Sequence, residues 1–143
     1  MSIAPSLTVL NRINSGQNYQ GTDITLTSIK SLNENSSWEG PSEGTILTSN
    51  GNTAKFISEQ NGIVLPPQTV GIEIQFEYNF IQKGKNYTQN GEIYLLVPPE
   101  GEHTLFGKTL PSTNNPNFPI AIPNFNYSIV NSGVNAFEVI VTL

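Results

Sequence analysis

The chain of 143 residues contains no cysteine and a single histidine, His103. Without thiols, neither a disulfide framework nor a thiolate metal site can form. One histidine argues against a histidine-based zinc site and restricts any Ser-His-Asp arrangement to His103. No G-x-S-x-G segment is present to hold a nucleophile. We therefore expect a protein that is not an enzyme and that uses neither a metal nor a cofactor.

Charge is also scarce, with eleven acidic residues against six basic ones and a formal net charge of −5. The basic residues are scattered between Arg12 and Lys108 and form no stripe. Nucleic acid is attracted by clustered positive charge, so it is not an expected partner. The same scatter does not favour an anionic membrane.

Long apolar runs are missing as well. No segment approaches the ~18 apolar residues of a membrane-spanning helix. The first residues, MSIAPSLTVLNRINSG, lack the early positive charge and the apolar core of a signal peptide. We expect a protein that is made without a signal peptide, stays in the cytoplasm, free or as inclusions, and acts outside the cell after release.

Helical periodicity is almost absent, and period-two alternation recurs along the chain. It predicts nine strands, at Ser6–Ile13, Asp23–Lys30, Thr45–Ser49, Thr53–Ser58, Val70–Phe80, Glu92–Val97, His103–Phe106, Phe125–Val130 and Ala136–Leu143. Short strands separated by frequent turns are typical of sandwiches and barrels. We predict an all-β fold, a single antiparallel β-sandwich domain of two sheets spanning residues 1–143, with eight or nine strands and little or no helix.

The most regular alternation lies in the segment IEIQFEYNF, which begins at Ile72. It predicts that Ile74 and Phe76 face the core and that Glu73 and Glu77 face solvent. The two glutamates are four residues apart, or roughly 13 Å at strand rise, which exceeds the separation of a glycosidase pair. A solvated polar face is the simpler interpretation.

Asn-Gly pairs predict tight hairpins, because both residues readily adopt the positive φ of a type I′ turn. The first pair, Asn50-Gly51, would join the two strands that flank it. The second pair, Asn61-Gly62, predicts another turn, and the third pair, Asn90-Gly91, would set Tyr87 opposite Tyr94.

Aromatic side chains supply the candidate binding residues. Trp38 is the only tryptophan and lies in the turn-rich segment 33-NENSSWEGPSEG-44. It is either a plug over one end of the sandwich or a docking residue, since an indole combines apolar area with one hydrogen-bond donor. The other candidate docking residues are Tyr19, Tyr87, Phe118 and Tyr127. Phe118 belongs to the proline-rich segment 107–126, a length of loop that is usually functional or tied along a sheet.

The order of several segments resembles a known family. SLTVLNRI and DITLTSIK are followed by 37-SWEG-40, then by KFISEQNGI, TVGIEIQFEY and a closing AFEVIVTL. This order resembles the aegerolysin family, and especially the small aegerolysin-like component of binary insecticidal crystal toxins. The resemblance implies a β-sandwich, binding to lipid or to a membrane surface, and cooperation with a larger pore-forming partner. Trp38 is the residue that matches the tryptophan-containing lipid site of the family.

These observations lead to one preferred function and two alternatives. The preferred function is a non-enzymatic module that binds membrane lipid or a cell-surface receptor, as one component of a binary pore-forming or insecticidal toxin. The first alternative is a lectin-like carbohydrate-binding domain that stacks sugars on Trp38 and tyrosines. The second is a self-assembling subunit of a crystal, capsid or appendage, which would be a homo-oligomer. Glu92–Val97, apolar on both faces, favours this last alternative.

Overall fold

The computed structural model describes residues 5–14, 19–32, 36–60, 69–109, 124–131 and 136–142. These ranges contain eleven strands. The strands are β1 (Ser6–Asn11), β2 (Tyr19–Gln20), β3 (Ile24–Ser31), β4 (Ser36–Glu39), β5 (Ile46–Leu47), β6 (Ala54–Gln60), β7 (Val70–Gln82), β8 (Lys85–Val97), β9 (Thr104–Thr109), β10 (Asn124–Asn131) and β11 (Ala136–Thr142). No helix occurs in these ranges. The predicted all-β fold is confirmed.

Two mostly antiparallel sheets contain these strands. One is five-stranded, in the order β10-β11-β1-β6-β4, and the other is six-stranded, in the order β5-β3-β7-β8-β9, with β2 paired to β7. β1 and β11 run parallel, with Leu7 opposite Phe137. Each of the nine predicted strands overlaps an observed one, and the two strands that were not predicted, β2 and β4, are short and polar.

The core lies between the sheets and is built from the apolar positions of each alternating strand. Ile74 is fully buried and Phe76 is 1% exposed, as predicted. Glu73 and Glu77 lie on the outer face but are half-buried, because β3 and β8 flank β7 on both sides. Burial of a large apolar side chain contributes about 1.5–3 kcal/mol, so this alternation provides much of the driving force for folding.

The predicted hairpin at Asn90-Gly91 is wrong. Both residues lie inside β8, where Gly91 is paired with Phe76. The turn that joins β7 to β8 is instead Lys83-Gly84, with φ values of 51° and 74°. Two consecutive positive φ angles are those of a type I′ turn, so Lys-Gly takes the place expected of Asn-Gly. Tyr87 is consequently paired with Phe80 and not with Tyr94.

Gly91 is required within β8 for a packing reason. A Cβ atom added to Gly91 would overlap the ring of Phe76. The glycine therefore provides room for an aromatic ring across the strand pair, and its backbone does not have the positive φ of a turn.

The predicted hairpin at Asn50-Gly51 is also wrong. β5 pairs with β3 in the six-stranded sheet, whereas β6 pairs with β1 and β4 in the five-stranded sheet. The segment around Asn50 therefore crosses from one sheet to the other. The backbone N–H of Asn50 donates to the carbonyl of Asn11 at 2.8 Å, which holds this crossing against the end of β1.

Asn11 is a buried polar residue that links three segments. Its Nδ2 donates to the carbonyls of Thr22 at 2.6 Å and Leu47 at 2.8 Å. Its Oδ1 accepts from the backbone N–H of Ile13 at 3.0 Å. Because buried polar groups are costly without partners, these bonds fix the start of β3 and the end of β5 relative to β1.

β8 is a central strand of the six-stranded sheet, and its two apolar faces make different contacts. Tyr94 stacks on Phe106 of β9 with ring centroids 5.0 Å apart and an interplanar angle of 19°. Ile93 and Leu95 face the core on the other side. The inner apolar side chains of Glu92–Val97 therefore pack in the core, and Tyr94 on the outer face stacks on its neighbour in the same sheet. The self-assembling alternative stays a prediction.

Candidate functional site

Trp38 lies at one end of the sandwich and packs against the core. Its ring is partly buried, and its Nε1 donates to the carbonyl of Gly71 at 2.8 Å. Gly71 is the second residue of β7. An indole that is packed and hydrogen-bonded in this way favours the plug interpretation over the docking interpretation.

Tyr87 and Tyr19 belong to the opposite end. Tyr87 is 6% exposed and stacks on Phe80 with ring centroids 5.7 Å apart. Tyr19 lies opposite Gln82 in the β2–β7 pair, and its side chain is outside the described residues. At about 3.4 Å per residue, Phe80 is roughly 30 Å along β7 from Gly71. The structure therefore places Tyr87 and the backbone of Tyr19 far from Trp38.

The structure places neither of the other two candidate residues, Tyr127 and Phe118, near Trp38 or Tyr87. Tyr127 lies opposite Val139 in the β10–β11 pair, in the five-stranded sheet, and its side chain is outside the described residues. Phe118 and most of the proline-rich segment 107–126 are also outside them. The five aromatic residues do not form one site among the described residues.

Replacing Trp38 by phenylalanine tests the plug interpretation. We expect a loss of about 1 kcal/mol in the free energy of unfolding, because the indole N–H that bonds Gly71 is removed while most of the ring area is kept. Urea denaturation measures this loss. Vesicle binding should be unchanged, and a variant that folds with wild-type stability but no longer binds vesicles would return Trp38 to the docking surface.

A different surface, around the β7–β8 turn, presents apolar and basic side chains together. We call it the hairpin end and define it by Ile46, Asn79, Ile81, Lys83 and Lys85. Ile46 is 52% exposed and Ile81 is 44% exposed, and the lysines are exposed as well. Among the described residues the third exposed large apolar side chain is Ile57, on the five-stranded sheet.

The local sequence explains why these side chains point outward. Even-numbered residues of β7 face the core near the turn, as Phe80 and Gln82 do, so Ile81 faces solvent. β7 and β8 remain paired residue by residue from Val70 and Val97 to Gln82 and Lys85. A two-residue turn closes this long ladder, and the hairpin end is therefore held on rigid strands.

Two open grooves meet at the centre of the hairpin end. One, of about 370 Å³, is lined by residues that include Asn79, Ile81 and Thr88. The other, of about 460 Å³, is lined by residues that include Asn79, Asp23 and Ile46. Gly21 and Asn79 line both grooves, which therefore adjoin.

Gly21 fixes the wall between the grooves. Its φ is 138°, and an added Cβ would lie 2.9 Å from Cα of Phe80. The hydroxyl of Tyr78 donates to the carbonyl of Gly21 at 2.7 Å. Close approach and positive φ both require glycine here, and the buried tyrosine prevents the segment from moving away.

Two pairs of glutamate side chains lie close together on the outer faces of the sheets. A hydrogen bond with Glu92 raises the pKa of Glu73, with burial and the negative charge of Glu92 acting in the same direction. Lys108 Nζ lies 3.4 Å from Glu92 Oε2. On the five-stranded sheet, a hydrogen bond with Glu39 raises the pKa of Glu59. The two carboxylates of each pair repel each other when both are ionised. Protonation of Glu73 and of Glu59 therefore stabilises the folded state at low pH, and this stabilisation is lost as pH rises through their raised pKa values.

Other chemical sites find no support in the described residues. These ranges contain no group of three or more His, Asp or Glu side chains placed to hold a metal ion. The ring of His103 is partly buried and contacts Phe137, with centroids 4.6 Å apart. In the same part of the chain, no helix is long and apolar enough to span a membrane.

Comparisons with known proteins found no matching family model, no matching curated protein and no matching solved structure. The resemblance to the aegerolysin family therefore stays a prediction that depends on the order of segments in the sequence. The candidate site is consequently argued from its own geometry.

Proposed function

We propose that the protein is a non-enzymatic binding module that docks on a membrane surface through the hairpin end. The observation that supports this proposal is the exposed Ile81 beside Lys83 and Lys85, with the exposed Ile46 across the two grooves. Apolar side chains enter the boundary between headgroups and acyl chains, and lysines attract anionic lipid. The rigid hairpin holds both kinds of side chain at one end of the molecule.

The overall charge supports an orientation in which the hairpin end approaches first. The chain carries a net charge of −5, so most of its surface is repelled by an anionic membrane. Lys83 and Lys85 are two of the six basic residues and lie on either side of Gly84. Although the basic residues are scattered along the chain as a whole, these two lie together at the exposed tip of the hairpin, where they attract anionic lipid.

The strength of this contact can be estimated from its parts. Each lysine near an anionic surface contributes about 1 kcal/mol, and each inserted isoleucine contributes about 1.5 kcal/mol. For Lys83, Lys85, Ile46 and Ile81 the sum is about 5 kcal/mol, which corresponds to a dissociation constant of roughly 0.2 mM. A single copy therefore docks weakly, and tight attachment requires a specific headgroup or several copies.

Vesicle co-sedimentation tests the docking surface. We expect the protein to bind phosphatidylcholine vesicles that contain phosphatidylserine more strongly than vesicles without it, and to be released by salt. Ile81→Ser should weaken binding about tenfold, since about 1.4 kcal/mol of burial is lost. Ile57→Ser is the matched control, because Ile57 is also exposed but lies on the other sheet.

Two results would contradict the proposal. One is an Ile81→Ser variant that binds as the wild type does. The other is an equal loss in Ile57→Ser, which would indicate general stickiness of the protein instead of a defined surface.

The resemblance to the aegerolysin family extends the proposal to a role as one component of a binary pore-forming toxin. In that role the docked module recruits a larger partner. Dye-loaded vesicles should stay intact with this protein alone and leak when a pore-forming protein encoded beside it is added. Leakage that is independent of this chain would remove the toxin role and leave the docking role in place.

A further inference from the structure

The two grooves of the hairpin end have the chemistry of a sugar-binding site. We infer that they bind a neutral oligosaccharide, with adjacent units on the two sides of Asn79. This inference rests on the proposed docking at the hairpin end and names the ligand class of that surface. It also supplies the specific headgroup that the weak docking energy requires.

The size of the grooves suits such a ligand. At about 370 and 460 Å³, each falls in the range of small-molecule sites. Because Gly21 and Asn79 are shared, the two grooves form one elongated surface with a central divider. An elongated ligand made of two similar units matches this shape better than a compact one.

The lining chemistry distinguishes neutral sugars from phosphates and sulfates. The polar side chains of the grooves are hydroxyls, amides and one carboxylate, those of Thr25, Thr88, Asn79, Asn86 and Asp23 among them. Within the part of the chain that the structure describes, no lysine or arginine lines either groove. Recognition of an anionic group uses positive donors, and the carboxylate of Asp23 would repel it. A sugar hydroxyl, which both donates and accepts, matches amides, hydroxyls and a carboxylate.

A hydrogen bond holds the side-chain amide of Asn79 in one orientation. Its Oδ1 accepts a hydrogen bond from the hydroxyl of Thr88 at 2.6 Å, which fixes the orientation of the amide. The N–H donors on Nδ2 are then the groups of Asn79 from which a sugar oxygen accepts. The side chain is exposed on the wall that Gly21 and Tyr78 hold in place.

The apolar members of the surface complete the match. Ile81 lines one groove and Ile46 lines the other. Sugar rings have faces of C–H groups that pack on aliphatic or aromatic side chains, while their hydroxyl edges meet polar groups. Each groove thus offers one apolar wall and several hydrogen-bonding groups, a combination that is usual for small-ligand sites.

The first experiment uses the full-length protein on an array of neutral glycans printed beside sialylated and sulfated ones. We expect binding to neutral glycans. Asp23→Asn and Asn79→Ala should each weaken this binding at least tenfold. Glu102→Gln is the control, since it also neutralises an exposed acid but lies before β9, outside both grooves. Binding confined to sialylated or sulfated glycans, or no binding to any glycan, would overturn the inference.

A thermal melt of each variant separates misfolding from loss of a contact. Asp23 and Asn79 are exposed, and surface substitutions usually leave stability nearly unchanged. If Asn79→Ala melts early, Asp23→Asn alone decides the outcome. Wild-type affinity in a folded Asp23→Asn variant would contradict a role for the carboxylate and overturn the inference.

A second experiment determines whether the glycan is carried by lipid and distinguishes this inference from the proposed function. Phosphatidylcholine vesicles are compared with and without lactosylceramide, and free lactose is added as a competitor. Stronger sedimentation with lactosylceramide, reversed by lactose, supports a glycolipid headgroup. If Ile81→Ser weakens vesicle binding while Asp23→Asn does not, the result supports membrane docking and contradicts the glycan site. If free glycans bind through Asp23 but the protein binds no vesicle, the result supports the glycan site and contradicts membrane docking.

Discussion

Replacing Asn11 by alanine should lower the free energy of unfolding by about 3–5 kcal/mol. The substitution removes three hydrogen bonds, each with a net contribution of about 1 kcal/mol, and leaves two buried and one half-buried backbone group without their partner. Those partners are the carbonyls of Thr22 and Leu47 and the N–H of Ile13. Urea or guanidinium denaturation, monitored by the fluorescence of Trp38, measures the loss.

Asn52 provides a matched control for this prediction. It is also an asparagine that makes three hydrogen bonds, to the backbone N–H and hydroxyl of Thr48 and to the carbonyl of Ile46, but it is exposed. Water replaces these bonds when the side chain is removed, so Asn52→Ala should cost less than about 1 kcal/mol. Equal losses in the two variants would show that the burial of Asn11 does not determine its contribution.

Asn11→Asp gives a sharper test with almost no change in shape. The aspartate keeps an oxygen for the N–H of Ile13 but places an acceptor where Nδ2 donates to two carbonyls. We expect it to be at least as destabilising as alanine at neutral pH, because an unpaired charge is then buried. Either substitution removes the bonds that hold Thr22 and Leu47, which lie next to Asp23 and Ile46. We therefore expect affinity at the hairpin end to decrease together with the free energy of unfolding.

The alternation in the sequence predicted the strands because it reflects a physical constraint that acts locally. Side chains on a strand point alternately to the two faces, so a strand with one face in the core must alternate. The segment from Ile72 to Phe80 satisfies this rule at every position. Strand β4 escaped prediction because Ser36–Glu39 is polar around one large side chain, Trp38, and its pairing with β6 is long-range.

The turns were harder to predict because an Asn-Gly pair has more than one use. Gly91 is selected by the ring of Phe76 across the strand pair, which is a tertiary contact that no local pattern reveals. Lys83-Gly84 carries a usable signal, since alternation continues on both sides of a residue pair that contains glycine. Asn50 does adopt positive φ, at 55°, but its turn connects two sheets and not two neighbouring strands.

The candidate site could be predicted only in part, since it is assembled from segments distant in sequence. Tyr19 and Tyr87 were predicted as docking residues, and the structure places the backbone of Tyr19 at the same end of β7 as Tyr87, whose ring is buried in the core. Their docking role stays a prediction. Ile46 and Asp23 join that end through the pairing of β5 with β3. Asn11 is hydrogen-bonded to both of these segments through Thr22 and Leu47, and its burial cannot be read from a polar residue at the end of a strand pattern.

Replacing Phe76 by alanine should lower the free energy of unfolding by about 3–5 kcal/mol, the usual range for removal of a core aromatic side chain. Phe76 is 1% exposed and its ring lies over Gly91 of the neighbouring strand. The substitution Gly91→Ala on the partner strand tests the contact by whether it raises or lowers the free energy of unfolding. In an unobstructed strand, alanine stabilises relative to glycine, whereas here its Cβ must displace the ring. We expect a loss of about 1–3 kcal/mol, as for overpacking in a core.

A double-mutant cycle tests whether the ring is the cause of that loss. Phe76→Leu shortens the side chain over Gly91, so Gly91→Ala introduced into this background should cost less than it does in the wild type. We expect a coupling of about 0.5–3 kcal/mol between the two positions, measured by denaturant unfolding of the four proteins. Additive losses, or a stabilising Gly91→Ala in the wild type, would mean that the ring does not occupy the space above the glycine. A turn at positions 90 and 91 would give a different result, because alanine there would be strained by positive φ whatever residue stands at position 76.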